Sequence, residues 1–498
     1  MFLYEIFQTD FHALIAQFYI TLLILVLILF CVFVANTYSS YAKITLNLLN
    51  PICTYSGFIV FLLSWFAPTS FCTLCNGVLI YDELSKFIHL FLIVCLLIQF
   101  TIQTNSMKKL KVFEFETSIL VLLSFLGLLI LSSSYNLISL YLALELQSLS
   151  FYILTASKRN SPQSAEAALK YFILGSIASG FILFGSSIIY CITGSVNFSD
   201  IFLLLSNINQ YSLLQYILPF FYGLLFVTVG LLFKIGAVPF HSWLPDVYEG
   251  SPNHITFFFT ILPKIALMSL FIRIFYDICS NVFDFFVPLF YVCSILSIFI
   301  GAFLSLQQQK IKRLLAYSSI SHVGFILIGF AVNSFESLTS ILLYLVIYIT
   351  MSINIWTVFL SLHIKDKPLK YLTDFTGLVK INPYLSFIVM LNLFSMAGIP
   401  PLGGFFSKMF LFCVAVKNNN IGLAIIGILL STVCAFYYIR LIKIIYFDVN
   451  MKNFKPIQTI NKSEALIITT TIFGIVFFFL FPEYIILYLH KLTLLYIL

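Results

Sequence analysis

Residues Gly223–Lys264 read GLLFVTVGLLFKIGAVPFHSWLPDVYEGSPNHITFFFTILPK, and this stretch decides the fold. It sets Lys234 inside an apolar helix, follows it with Gly236 and Pro239, and places Lys264 directly after Pro263. A lysine at the bilayer centre costs roughly 2.5 to 3.5 kcal/mol on insertion scales, so Lys234 must face protein or water rather than lipid. Pro239 brings no N–H and frees carbonyls of the preceding turn. A membrane interior accepts such irregular backbone only where protein or a hydrated cavity satisfies it. An amine beside a helix break therefore reads as part of an ion pathway.

Composition agrees with a membrane setting. Of 498 residues, 61% are hydrophobic and only 9% charged, and the mean hydropathy is +1.06; a soluble surface needs far more charge. The net charge of +7 is carried by cations in short loops, not by one basic face, which excludes a nucleic-acid partner. The opening MFLYEIFQTD holds two acids and no base, so it offers neither a charged signal region nor an Arg-rich transit peptide. Insertion is expected to rely on the first helix.

Outward from the opening stretch, apolar runs of about 20 residues predict an all-α polytopic membrane protein of about 14 transmembrane helices. They fall near Leu14–Ala35, Leu46–Phe66, Leu84–Thr104, Glu116–Ser134, Tyr135–Ala156, Ala165–Ile192, Gln215–Trp243, Ile255–Asp277, Phe286–Leu306, Leu314–Val332, Leu338–His363, Pro383–Val416, Ile421–Tyr446 and Ala465–Leu489. Pro68 to Asp82 is open to a half-inserted segment. Basic residues alternate across the loops: 18 lie on one side, among them Lys108, Lys109, Lys111, Lys158, Arg159, Lys310, Lys312, Arg313, Lys365 and Arg440, against four on the other, Lys86, Arg273, Lys417 and Lys491. The positive-inside rule then puts both termini outside.

The fourth to eighth helices are matched in length by the ninth to thirteenth, and each set has a Pro-interrupted helix in fourth place. One carries Lys234, Gly236 and Pro239; the other carries Gly398, Pro400, Pro401 and Lys408. Because five is odd, successive blocks enter from opposite sides, which gives two inverted five-helix repeats with discontinuous helices and a working site near the midplane. The expected organisation is residues 1–113 for helices 1–3, 114–280 and 281–448 for the repeats, and 449–498 for the last helix.

Glu145, within YLALELQSLSFY, lies about ten residues from either end of its helix and cannot snorkel. Lys234 is its natural partner. The pair reads either as a switchable proton site or as a static salt bridge that fixes packing. Lys264 has no acid within two turns, and Lys408, in FFSKMFLF, has no local partner; both are candidate proton carriers. Glu166 and Lys170 are spaced i,i+4, so an interfacial ion pair explains them and Lys170 is a secondary candidate. His322, in a polar run with Tyr317, Ser318, Ser319 and Ser321, is read as a hydrogen-bonded packing residue before a relay. Cys72 and Cys75 form a lone CxxC without a second pair, read as incidental, with a disulfide left open. Interface anchoring accounts for Trp243 and Tyr248. No spacing fits iron–sulfur, haem or nucleotide binding.

The segments LYLALELQSLSFYILTASKRNSPQSAEAALKYFILGS, FKIGAVPFHSWLPDVYEGSPNHITFFFTILPK, KIKRLLAYSSISHVGFILIGF and LNLFSMAGIPPLGGFFSKMFLF resemble the subunit 2 family of the proton-pumping NADH:ubiquinone oxidoreductase, respiratory complex I. The likeness runs from about Tyr135 to Lys264 and from Lys310 to Lys408. It implies an antiporter-like subunit, distantly similar to Mrp-type cation/proton antiporters, that couples quinone reduction to proton transfer. The family's proton-carrying glutamate and lysines match Glu145, Lys234, Lys264 and Lys408. It also implies no cofactor on this chain, with NAD, FMN, iron–sulfur clusters and ubiquinone on partner subunits, and further membrane-arm subunits and lipid as neighbours. The 57 Phe and 28 Tyr suit an AT-rich mitochondrial genome, which places the chain in the inner membrane rather than a bacterial or plastid one. A stand-alone antiporter and a non-pumping membrane scaffold share many of these features.

Overall fold

The computed structural model describes residues 2–37, 42–67, 72–110, 116–158, 161–207, 213–364, 367–448 and 460–497. Its helices in chain order are α1 (Phe2–Thr37), α2 (Ala42–Trp65), α3 (Glu83–Leu110), α4 (Glu116–Ser133), α5 (Leu137–Ala156), α6 (Pro162–Thr193), α7 (Phe198–Asn207), α8 (Leu213–Ile235), α9 (Trp243–Gly250), α10 (Asn253–Ile272), α11 (Val287–Leu306), α12 (Ile311–Val332), α13 (Phe335–Ser361), α14 (Leu378–Ile381), α15 (Pro383–Ala397), α16 (Gly403–Lys417), α17 (Ile421–Tyr446), α18 (Lys462–Phe477) and α19 (Pro482–Ile497). Local chemistry sets several of these ends. The Asn136 side chain accepts from Ile138 N at the start of α5, Ser334 and Ser337 cap each other's backbone at the start of α13, and Asn382 accepts from Leu385 N at the start of α15.

Every apolar run forms helix where it is described, and three of the fourteen stand apart from the simple long helices among the described residues. Eleven described helices are long and apolar enough to cross, and twelve if α18 and α19 count as one. Two differences come from proline. Pro383–Val416 splits into α15 and α16 at Gly398–Pro401, and the last run bends by 90° between α18 and α19. Pro482 lacks the N–H that would continue α18, yet its fixed φ suits the first turn of α19. The third of these runs, Leu46–Phe66, lies almost wholly within the 24-residue helix α2. The part of the Pro68–Asp82 region that lies among the described residues, 72–82, holds a two-stranded ribbon, β1 (Cys72–Leu74) against β2 (Leu79–Tyr81), and the rest lies outside them. The Cys75 thiol is free, and the Cys72 side chain lies outside the described residues.

A helix hydrophobic all round belongs at the centre, where every face meets protein. The apolar window of α10 is 100% buried, that of α12 94% and that of α13 89%, whereas those of α1, α6 and α17 are 33% buried. These three inner helices carry Lys264, His322 and a pair of tyrosines, Tyr344 and Tyr348. The outer helices leave large apolar side chains such as Phe33, Leu142, Phe184 and Phe436 exposed, as a lipid-facing rim does.

The two helix breaks share one backbone solution. Gly236 N donates to Leu232 O and Phe233 O, and Ala237 N to Leu232 O; Gly398 N donates to Phe394 O and Ser395 O, and Ile399 N to Phe394 O. Both glycines sit at positive φ, +81° and +87°, where a Cβ would be strained. The Val238–Pro239 and Pro400–Pro401 bonds are cis.

Arg273, near the end of its predicted helix, is enclosed by protein. It is fully buried in a π-helical turn, Arg273–Ile278, that extends α10. Its guanidinium donates to Asp82 Oδ1 (2.8 Å) and to Ser132 O (3.2 Å). Burial raises the Asp82 carboxyl, but the guanidinium outweighs that and holds it below the ordinary range.

Candidate functional site

Lys234 lies in the last turn of α8 and Glu145 midway along α5. They do not meet as a contact ion pair. Glu145 Oε2 takes a long bond from Ser148 Oγ (3.4 Å), while Glu145 Oε1 and Lys234 Nζ are buried without a hydrogen-bond partner. The anticipated pairing is not a direct contact, and both groups keep a free hydrogen-bonding position.

Next to Lys234 is a small cavity of about 20 Å³ whose lining also includes Lys264, Gln147, Ser148 and Tyr248. That volume is enough for one water with polar partners on several sides. The break builds one wall. Trp243, at the start of α9, stacks between Tyr171 (centroids 4.9 Å apart) and Phe233 (5.7 Å) and donates from Nε1 to Phe233 O at 3.0 Å. It is buried, so it plugs the broken helix instead of anchoring an interface. Tyr248 is buried beside it.

Lys264 is buried in mid-α10, and its Nζ donates to Tyr348 Oη at 3.0 Å. The ammonium also lies 5.1 Å from the Tyr348 ring centroid; with the hydroxyl this close it approaches the ring edge, so the contact is a hydrogen bond and not a cation–π stack. His322 packs on the Tyr348 ring with centroids 4.9 Å apart. Its Nδ1 is 2.7 Å from Tyr344 Oη and its Nε2 is 3.2 Å from Tyr438 Oη. Each hydroxyl both donates and accepts, so either tautomer of the imidazole is accommodated. His322 is within electrostatic reach of Lys264 and Lys408 alike.

Lys408, in α16, has partners that its sequence neighbourhood does not reveal. Its Nζ donates to Met396 O (3.0 Å) and Ala397 O (2.9 Å), carbonyls left over at the end of α15, and lies 5.1 Å from the Phe325 ring centroid. The ammonium therefore sits at the negative end of a half-helix. Lys234 and Lys264 line one cavity, Tyr348 touches both Lys264 and His322, and the Phe325 ring neighbours both His322 and Lys408. A line of ammonium, water-sized cavity, hydroxyl and imidazole of this kind can pass protons where water completes the hydrogen bonds between its members.

Lys170 stands apart from this line. Its half-exposed ammonium pairs with Glu166 (2.8 Å) and Asp246 (2.9 Å), in an open cleft shared with Glu249, Lys310 and Arg313. Glu249 pairs with both Lys310 and Arg313, and Arg313 also reaches Asp246 at 2.9 Å. Burial raises the Glu249 carboxyl, but these two cations outweigh that and hold it below the usual range. Among the described residues, no three His, Cys, Asp or Glu side chains gather as a metal site would require.

Residues 134–434 match the family model described as NADH:quinone oxidoreductase/Mrp antiporter, transmembrane. The chain is 39% identical over 498 residues to NADH-ubiquinone oxidoreductase chain 2 of Marchantia polymorpha, covering 98% of this chain and 99% of that one. The chain belongs to the NADH:quinone oxidoreductase/Mrp antiporter family. It is also 39% identical to NADH-quinone oxidoreductase subunit N of Pelagibacter ubique, over 82% of this chain and 85% of that one. A chain of respiratory complex I from Thermus thermophilus superposes with a TM-score of 0.76 at 25% identity, covering 95% and 98% of the two chains. A chain of the Mrp complex from Dietzia reaches 0.80 at 18% identity over 97% of each, a likeness of fold. The matched region encloses Glu145, Lys234, Lys264, His322 and Lys408, and leaves α1–α4, α18 and α19 outside.

The sequence alone reads Tyr248 as an interface anchor and does not single out Tyr344, Tyr348 or Tyr438. One signal was there: Tyr344 and Tyr348 are spaced i,i+4 and share a face of α13.

Proposed function

We propose that this chain is an antiporter-like, proton-translocating membrane subunit of an NADH:ubiquinone oxidoreductase, in which protons move along Glu145, Lys234, Lys264, His322 and Lys408. The observation that supports this is that ionisable groups are enclosed in five packed helices, α5, α8, α10, α12 and α16, with Lys234 and Lys264 lining one cavity and Tyr348 touching both Lys264 and His322. At an effective dielectric of about 20, a unit charge about 7 Å away is worth roughly 2 kcal/mol, or about thirtyfold in a protonation equilibrium. A charge change beside Glu145 and Lys234, set off by quinone reduction elsewhere in the assembly, is enough to load or unload a lysine. The direction is from the basic, inner side through Lys234 and Lys264 to Lys408. Residues 114–280 and 281–448 form the inverted repeats, a reading supported by the matched hydrogen bonds at Gly236 and Gly398.

NAD, FMN, iron–sulfur clusters and ubiquinone belong to partner subunits, among them further antiporter-like chains of the membrane arm. The chain sits in the mitochondrial inner membrane with both termini on the intermembrane-space side and its basic loops in the matrix. Replacing Lys234 by Met in the assembled complex lowers NADH-driven proton pumping; unchanged pumping removes Lys234 from the relay. A stand-alone Mrp-type antiporter is the competing reading. Migration with a large NADH-oxidising assembly on a native gel separates the two.

A further inference from the structure

Three residues that the relay itself does not use, Asn354, Asn392 and Ser395, form a fully buried polar cluster around the second helix break. Asn392 Nδ2 donates to Met351 O (3.0 Å) and to Asn354 Oδ1 (3.1 Å). Asn354 Nδ2 passes the connection on to Ile468 O (3.0 Å) and Thr471 Oγ1 (2.9 Å) in α18. One turn beyond Asn392, Ser395 Oγ donates to Met351 Sδ (3.1 Å) and accepts from Gly404 N (3.1 Å), one of the unpaired donors that open α16. Buried polar groups in a membrane interior are costly unless each bond serves a purpose, and here both donors of Asn392 are spent on tying α15 to α13.

What they tie together is specific. The end of α15 is where the Met396 and Ala397 carbonyls hold Lys408 Nζ. The stretch of α13 that receives Asn392 and Ser395 begins three residues after Tyr348, whose hydroxyl holds Lys264. Thus Tyr348 and Met351, one turn apart on α13, receive the two lysine environments, and the length of the gap between them is set by the bonds of Asn392 and Ser395. An α15 free to slide would carry the carbonyl cradle of Lys408 with it. The connection to α18 brings the C-terminal segment, which lies outside the family match, into the same cluster.

We propose that Asn392, assisted by Ser395 and Asn354, is a positioning residue that fixes the Lys408 cradle against the Tyr348–Lys264 contact. This rests on the proton-transfer reading above. The test uses the intact complex in sealed membrane vesicles, with proton uptake measured per NADH oxidised, for Asn392→Leu, Lys408→Met and the double variant. Leucine keeps the volume of asparagine and removes both donors. N392L is expected to slow proton uptake about fivefold to tenfold, and to add nothing further once Lys408 is already methionine. A merely structural role predicts an equal added loss in the K408M background, and that result overturns the proposal. N392L pumping like wild type while K408M is impaired also overturns it and leaves the relay standing. K408M pumping like wild type overturns the relay reading and this inference with it. Should N392L fail to assemble, Ser395→Ala takes its place: a loss that vanishes in the K408M background supports the proposal, and full pumping sinks it.

Discussion

The Tyr348 hydroxyl is the partner to which the buried Lys264 donates, and its removal is the sharpest probe of the line. Tyr348→Phe keeps the ring and its packing on His322 and deletes only Oη. A hydrogen bond to a charged group is worth about 1.5 to 3 kcal/mol when its partner is lost in a buried site. At about 1.4 kcal/mol per factor of ten, a step that passes through Lys264 and this hydroxyl slows roughly tenfold to 150-fold. Tyr344→Phe is the internal control. Its hydroxyl lies 2.7 Å from His322 Nδ1 and holds no lysine, so a neutral bond of about 0.5 to 1.5 kcal/mol is at stake and the loss stays within about tenfold. The assay is NADH-driven acidification of sealed vesicles holding the assembled complex, followed by a pH-sensitive dye and normalised to complex abundance. If Y348F acidifies at the wild-type rate, the hydroxyl is a packing feature and the line between Lys264 and His322 is cut. If both variants lose equally, the effect belongs to His322 and not to Lys264.

Two further outcomes follow from the surrounding charges. Arg273→Met leaves Asp82 buried without its cation and is expected to destabilise the chain by about 3 to 5 kcal/mol, seen as loss of assembled complex on a native gel; Asp82→Asn in the same chain restores part of it. Because Glu249 has its carboxyl held below the usual range in the folded chain, its contribution is present above the unfolded value of about 4.3 and is lost as pH falls through the lower folded value. The difference in thermal stability between wild type and Glu249→Gln should therefore be constant from neutral pH down to about 5 and disappear in stronger acid. A difference that peaks in acid would contradict the pairing with Lys310 and Arg313.

Much of this molecule is decided locally. Twenty-residue apolar runs have one solution in a bilayer, because backbone groups without water must be paired within the segment, so the helices are legible from composition alone. The breaks are equally local: glycine at positive φ followed three residues later by proline ends α8 and α15 in any context. The ionisable residues also announce themselves, since Glu145, Lys234, Lys264 and Lys408 stand in stretches where a charge is expensive. Only the packed structure settled what each of them touches. Lys408 finds its partners eleven and twelve residues back across a helix break, and Lys264 finds a tyrosine 84 residues away. Arg273 finds its partner in Asp82, 191 residues earlier. His322 reads as packing along its own helix and becomes the middle of the line because α13 and α17 each bring it a hydroxyl. The reason is one of range: helix formation and helix breaking depend on the nearest few residues, whereas the partner of a buried charge is whichever helix packs beside it, and that is written in no single segment.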